Sequence, residues 1–305
     1  MDRIDKNEHQ ELSTFFKDDI KWITPQYTLN TYLSPDGKKM RPWKEVNPHG
    51  LNGGPLSKVD DIKDVEEYEG WPDIKYLNFS TCIEEIRNTG DYYLLSGFWS
   101  PFYHDLTYLF GSENLLVKMC IQPDVVHSAL NKLCNFYLEA NELFYAQAGY
   151  LIDGFFFGND FGTQNNLLFS PDQFEEFFLP WIKKFSKQAH DHGYQSILHC
   201  CGAINNIIPL LAKSGVDCIH PLQVKARDMQ AEKLAKYKNI ISFMGGVDTQ
   251  DLLPNGSPSE VADAVFNLMA HLGPNLIVGP SHEALLPDIP LENVKAMCDT
   301  VHEKK

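Results

Sequence analysis

From about residue 90 onward the chain repeats one device: a short apolar run stops at a turn rich in Gly, Pro or polar residues, and a helical segment follows. The runs are Asp91–Trp99, Tyr150–Phe157, Ser196–His199, Val216–His220, Ile240–Met244 and Leu276–Val278. They are apolar almost throughout, as strands are when helices cover both faces of a sheet. Between them lie helical patterns over Gln122–Gly149, from Ser170 towards Gly193 with a bend at Pro180, and over Ala203–Gly215 and Ala231–Tyr237. Further helices run from Ser257 to Gly273 and over Leu291–His302. Ser170-Pro171-Asp172-Gln173 and Ser257-Pro258-Ser259-Glu260 have the form of capping boxes with Pro at the first helical position. Alternation at this pace predicts parallel strands joined by crossover helices.

Two closures satisfy that pattern, an open doubly wound sheet and a (β/α)8 barrel. No strand is followed by Gly-x-Gly-x-x-Gly, which removes the commonest reason to prefer a nucleotide-binding open sheet. Polar and Gly-rich residues gather just after the strands, where barrel enzymes keep their sites. The expectation is therefore an α/β fold, a (β/α)8 TIM barrel. Ile20–Thr24 supplies a seventh strand, and an eighth has no room before it. The barrel is thus expected to lack or alter its first strand, or to stay open on one side. Tyr32–Asp73 is polar with many Gly and Pro residues and reads as an irregular excursion over one barrel end. We expect one domain, with residues 1–80 an irregular N-terminal segment carrying an early strand and 81–305 the main part of the barrel.

The run Ile197-Leu198-His199-Cys200-Cys201-Gly202 carries the sharpest chemistry. Residues two apart in a strand share a face, so His199 and Cys201 project together and Cys200 points away. An imidazole and a thiolate side by side make half of a zinc site. His282, after the last strand, is a candidate third ligand or a general acid/base. Three protein ligands with an open fourth position is the pattern of a catalytic zinc, and the S/N donor set disfavours magnesium or calcium. Asp160 is a candidate to orient a ligand or substrate, or with His282 to handle protons. Gly245, Gly246 and Asp248 form a turn where backbone can approach a cofactor. Trp99, Tyr103, Gln164, His220 and Glu283 are candidates for the substrate pocket.

Charge narrows the partners. The net charge is −15, and no Lys/Arg run exceeds two residues, which opposes a nucleic-acid backbone. The densest basic spot, Lys38-Lys39 with Arg41 and Lys44, reads as a solvated loop. It does not read as a grip for a substrate with many carboxylates. No stretch is long and apolar enough to span a membrane, and the charged start has no signal core. Seven cysteines without framework spacing suit a reducing compartment, so a cytoplasmic location is expected.

From about residue 80 to 302 the chain resembles the uroporphyrinogen decarboxylase superfamily, which also contains zinc-dependent corrinoid methyltransferases. The resemblance rests on His199–Gly202, Gly215-Val216-Asp217 through Pro221-Leu222-Gln223, Phe243–Leu253 and Gly279–Asn293. It implies a TIM barrel and a homodimer. The decarboxylase branch is known for an early Arg-rich motif and an Asp at an early strand end, and neither is visible in IKWIT. The methyltransferase branch carries His-x-Cys, which falls on His199 and Cys201. Its usual third ligand is a Cys in the last strand-end loop, where this chain has Ser281-His282. The resemblance thus implies a zinc enzyme moving a methyl group between a corrinoid protein and a thiol or small methylated substrate. The alternatives are a metal-free carboxy-lyase using Asp160 and His282, and a non-catalytic paralogue.

Overall fold

The computed structural model describes residues 15–51 and 53–303. Seven parallel strands pair in sequence order: β1 (Ile20–Trp22), β2 (Tyr93–Ser96), β3 (Gly154–Gly158), β4 (Gln195–His199), β5 (Cys218–Leu222), β6 (Ser242–Val247) and β7 (Leu276–Pro280). The crossovers use α1 (Ser80–Arg87), α2 (Pro123–Ala148), α3 (Leu179–Asp191), α4 (Ile208–Lys213), α5 (Ala231–Leu234) and α6 (Pro258–Leu272), and α7 (Leu291–His302) follows β7. This is the α/β, TIM-barrel-like arrangement the alternation predicts. Among the described residues no eighth strand pairs with β1 or β7, so the sheet curls but does not close between them.

Local sequence explains the elements. Both capping boxes form, with Ser170 answered by Gln173 and Ser257 by Glu260. The bend expected at Pro180 is preceded by a π-helical turn over Phe174–Phe178, which continues as α3. Several boundaries move. The strand expected over Val216–His220 is β5, Cys218–Leu222, so Pro221 lies inside it. Gly245 and Gly246 belong to β6 and do not end it. The excursion after β1 contains short helices at Trp43–Val46 and Ile62–Glu66, and it buries Trp43, Leu56 and Val65.

Alternation along the strands sorts side chains into two layers. Leu94, Phe155, Phe157, Leu198, Ile219 and Phe243 face the helices and join one large core. Leu95, Phe156, Ile197 and Cys218 face inward and form a small separate cluster. The register Phe156↔Ile197↔Cys218 keeps that inner set on one face. One step further along, Gly158, His199 and His220 align in the same way, at the ends where the strands open.

Candidate functional site

Position in β4 decides where His199 points. Inward-facing Ile197 precedes it by two residues, so His199 also faces the barrel interior, where its ring meets Trp99 edge-on at 5.2 Å. Gly158 makes room for that indole: a Cβ there would lie 2.0 Å from Trp99 Cζ2. Past His199 the chain turns at Gly202, whose φ of +91° favours glycine. A Cβ at Gly202 would meet the Gly162 backbone at 2.5 Å, so the turn after β4 lies directly against the loop after β3. Ala203 N donates to Thr163 O at 2.7 Å and Cys201 N to Asp160 Oδ1 at 2.9 Å. These contacts set Cys201 and Asp160 side by side.

The resulting donors converge. His199 Nε2 lies 3.4 Å from Cys201 Sγ, 3.4 Å from Asp160 Oδ1 and 4.0 Å from Glu283 Oε2. Ligand atoms on one tetrahedral zinc stand roughly 3.3–3.8 Å apart, so the first two separations suit that ion, as does the S/N/O donor set. Two groups have all their donor atoms within 4.8 Å of one another: Asp160, His199 and Cys201, and Cys201, His282 and Glu283. Cys201 belongs to both. The ligand set expected from sequence, His199 with Cys201 and His282, is therefore not gathered as one group. Asp160 is the nearer third donor to His199, and His282 reaches Cys201 together with Glu283. His282 itself is exposed; its Nδ1 accepts from Ala284 N at 3.1 Å and its Nε2 lies 3.5 Å from Glu283 Oε2.

Electrostatics points the same way. Burial, then the charges of Asp160 and Glu283, push the Cys201 thiol well above its ordinary range. Without a cation the sulfur keeps its proton; a divalent ion at this spot reverses the sign of the field. Burial acts to raise the Asp160 carboxyl, but hydrogen bonds from His104 and His199 outweigh it and hold the carboxyl well below the usual carboxylate range. His104 Nε2 stands 3.4 Å from Asp160 Oδ2, so the carboxylate is gripped from both sides. His199 Nδ1 and His220 Nδ1 face each other at 3.0 Å. Burial, then His199 and His282, lower the His220 pKa to about 3, so His220 is neutral at neutral pH. A neutral partner can donate to or accept from His199 Nδ1, and so can set whether His199 Nε2 carries a proton or a free lone pair.

The cluster stands between two cavities. The larger, about 700 Å³, occupies the barrel interior and the gap between β1 and β7; Trp22, Trp99, Phe156, His220 and Glu283 line it. The smaller, about 550 Å³, includes Gln164, Gln223 and Thr249 in its lining. Asp160 and His282 line both.

Other sequence candidates have different surroundings. Tyr103 lines neither cavity; it is buried in the outer layer against Phe161, Phe169 and Phe178, because it sits on the outward side of the helix Phe102–Phe110. Gly245 and Gly246 answer to packing: Cβ atoms there would meet Leu222 N and Pro280 O at 2.9 Å and Leu268 Cδ2 at 2.8 Å. The Asp248 carboxylate is spent on backbone, accepting from the N–H groups of Gln250, Asp251 and Leu252 at 3.0–3.1 Å. Gly245 nonetheless lines the larger cavity, while Gly246 and Asp248 do not line it. Arg41 and Lys44, which in sequence read as a solvated loop, line the larger cavity, as does His104. No local signal marks them, since their elements reach the site only through the fold.

Comparison with known proteins agrees with the fold. The family model described as uroporphyrinogen decarboxylase (URO-D) matches residues 51–304. A methylated-thiol–coenzyme M methyltransferase from Methanosarcina mazei is 26% identical over 252 residues, covering 79% of this chain and 62% of that protein. A solved structure, a methyltransferase from Methanosarcina mazei, aligns with a TM-score of 0.55 at 20% identity over 73% of this chain and 63% of that one. The chain thus spans under two thirds of the length of either relative. No helix among the described residues is long and apolar enough to cross a membrane.

Proposed function

The chain belongs to the uroporphyrinogen decarboxylase family, and from that premise we propose that it is a zinc-dependent methyltransferase that exchanges a methyl group with a corrinoid protein. The observation that carries this is the thiol of Cys201 and a carboxylate oxygen of Asp160, each 3.4 Å from His199 Nε2 at the open end of the strands. The name of the 26%-identical relative supports the reaction class. A homodimer and a cytoplasmic setting belong to the same reading.

His199, Cys201 and Asp160 would hold the metal, with His282 or Glu283 in reach of Cys201 as a further donor. When bound, zinc supplies a positive charge that lowers the pKa of a thiol or polarises a methylated heteroatom. The remaining work falls to the chain. His220 supports the His199 ring from Nδ1 and fixes its tautomer. His104 holds the second Asp160 oxygen. Trp99 and Phe156 exclude water from beneath the donors. His282, exposed and on the rim of both cavities, is placed to take up the proton a thiol releases on entering.

The test is metal content and activity together. Purified protein should carry about one zinc per chain, and His199→Ala and Cys201→Ser should each lose it. Zinc-loaded protein should demethylate a methylated cobalamin in the presence of a thiol. Zinc-free protein from non-chelating purification, with undiminished turnover, would defeat the proposal.

A further inference from the structure

The donor cluster presents different atoms to its two cavities. His199 lines the larger and Cys201 the smaller, while Asp160 and His282 line both. A ligand in the smaller cavity therefore meets the cluster from the Cys201 side. The wall of that cavity is assembled from the turns after β3, β4, β5, β6 and β7. Pro254 and Leu286 give it an apolar patch, and Thr249 and Ser281 a pair of hydroxyls. Thr249 Oγ1 lies 3.2 Å from Ser281 Oγ, which also accepts from Thr249 N at 3.1 Å. One hydrogen serves the contact between the two hydroxyls, so lone pairs remain to accept from a ligand.

Charge is the sharper constraint. Asp160 and Asp288 line this cavity, and no Lys or Arg of the described residues does. The cations on the neighbouring loop after β5 already face carboxylates. Lys225 Nζ lies 3.6 Å from Asp248 Oδ2 and 3.4 Å from Asp251 Oδ2, and Arg227 Nε lies 3.9 Å from Asp228 Oδ2. A divalent ion would cancel the charges of Asp160 and an ionised Cys201. A proton on His282 would face Glu283 at 3.5 Å. Asp288 is left over, so an anion entering here meets net repulsion. We propose that the smaller cavity holds the tail of the thiol in the methyl transfer, and that this tail donates hydrogen bonds and carries no negative charge. The ligand is then a short hydroxyalkyl or aminoalkyl thiol, not a sulfonate or carboxylate. Its sulfur lies towards Cys201, its stem against Pro254 and Leu286, and its donor among Thr249, Ser281 and Asp288. The inference rests on the methyl-transfer proposal only for the choice of a thiol as ligand.

Binding can be read without a corrinoid. Titration calorimetry serves for the protein as purified, and the absorption that a sulfur ligand adds serves for protein loaded with cobalt(II). The probes are 2-mercaptoethanol, 2-aminoethanethiol and 2-mercaptoethanesulfonate. We expect the first two to bind about tenfold more tightly than the sulfonate, with the gap narrowing in high salt. Gln164→Lys places a cation at an exposed position of the cavity wall and should tighten sulfonate binding about tenfold. Asp288→Asn should tighten it about threefold by removing a like charge. Sulfonate bound as tightly as 2-mercaptoethanol by the unaltered protein overturns the inference. So does sulfonate affinity that neither variant changes, or a protein that binds none of the three thiols. The expected order of affinities without methyl exchange with a methylated cobalamin sinks the functional proposal and leaves this one standing. Turnover with the sulfonate as the preferred thiol does the reverse.

Discussion

The two faces of the same seven strands differ sharply. Outward, Phe155 and Phe157 stack at 4.7 Å with Phe185 beside them, and the layer between sheet and helices is filled with fully buried side chains. Inward, the corresponding positions are Gly154, Phe156 and Gly158, and a cavity of about 700 Å³ lies over them. Adjacent residues of one strand therefore serve opposite ends: the outer face provides burial that holds the fold, and the inner face keeps space and polar groups for a ligand. Stability and site are separated by the period of two, so each can be perturbed without the other.

That separation can be attacked from either side. Phe157→Ala should lower the unfolding free energy by about 4 kcal/mol, because a fully buried ring leaves a cavity that cannot collapse. Ile277→Ala, at an exposed edge of the inner face, should lower it by under about 1 kcal/mol. Urea unfolding of both variants measures the contrast, and equal losses would erase it. Next comes Asp105→Ala, about 3 kcal/mol by the same assay, since it strands Arg41 beside a buried tyrosine. A loss under 1 kcal/mol would mean that the Arg41–Asp105 pair is not a structural element. Gly158→Ala should cost roughly 1–3 kcal/mol by driving Trp99 out of its place. A red-shifted tryptophan emission should accompany it, with the urea m-value unchanged because the outer core is untouched; an unmoved emission spectrum would show that the indole has room to spare.

The smallest effect on stability should come from Cys201→Ser, under about 1 kcal/mol in metal-free protein. Its effect on metal binding should still be large. Zinc must displace the proton that burial and the neighbouring carboxylates keep on this thiol. Affinity for zinc should therefore rise with pH, about tenfold per unit between pH 6 and 8, and the slope should flatten in the serine variant. Competition against a chelator at several pH values reads this directly. A flat profile in the unaltered protein would remove Cys201 from the ligand set.

Much of this was legible residue by residue. The capping boxes at Ser170 and Ser257 rest on side chains three residues from their partners, and both form as the sequence predicts. The shared face of His199 and Cys201 is what strand pleat predicts, although β4 ends at His199 and Cys201 is held in place by its N–H donating to Asp160 Oδ1. Boundaries such as Val216–His220 against Cys218–Leu222 were less legible, because Pro221 reads as a stop while β5 accommodates it. Tyr103 was placed in the pocket because it follows a strand end. The helix it opens turns it outward instead, and one residue's rotation around a helix is invisible without the packing partner.

What the chain's order of residues determined by itself is the rhythm of strand and helix and the pairing of an imidazole with a thiol two positions on. Both depend on neighbours close in sequence. Only the tertiary structure decided that Asp160 stands beside His199, that His282 meets Cys201 with Glu283, and that Arg41 and Lys44 reach the cavity. Those meetings join residues from different strand ends and from the excursion after β1. Their distances are set by sheet curl and by the close approach of Gly162 and Gly202, quantities that no local pattern encodes.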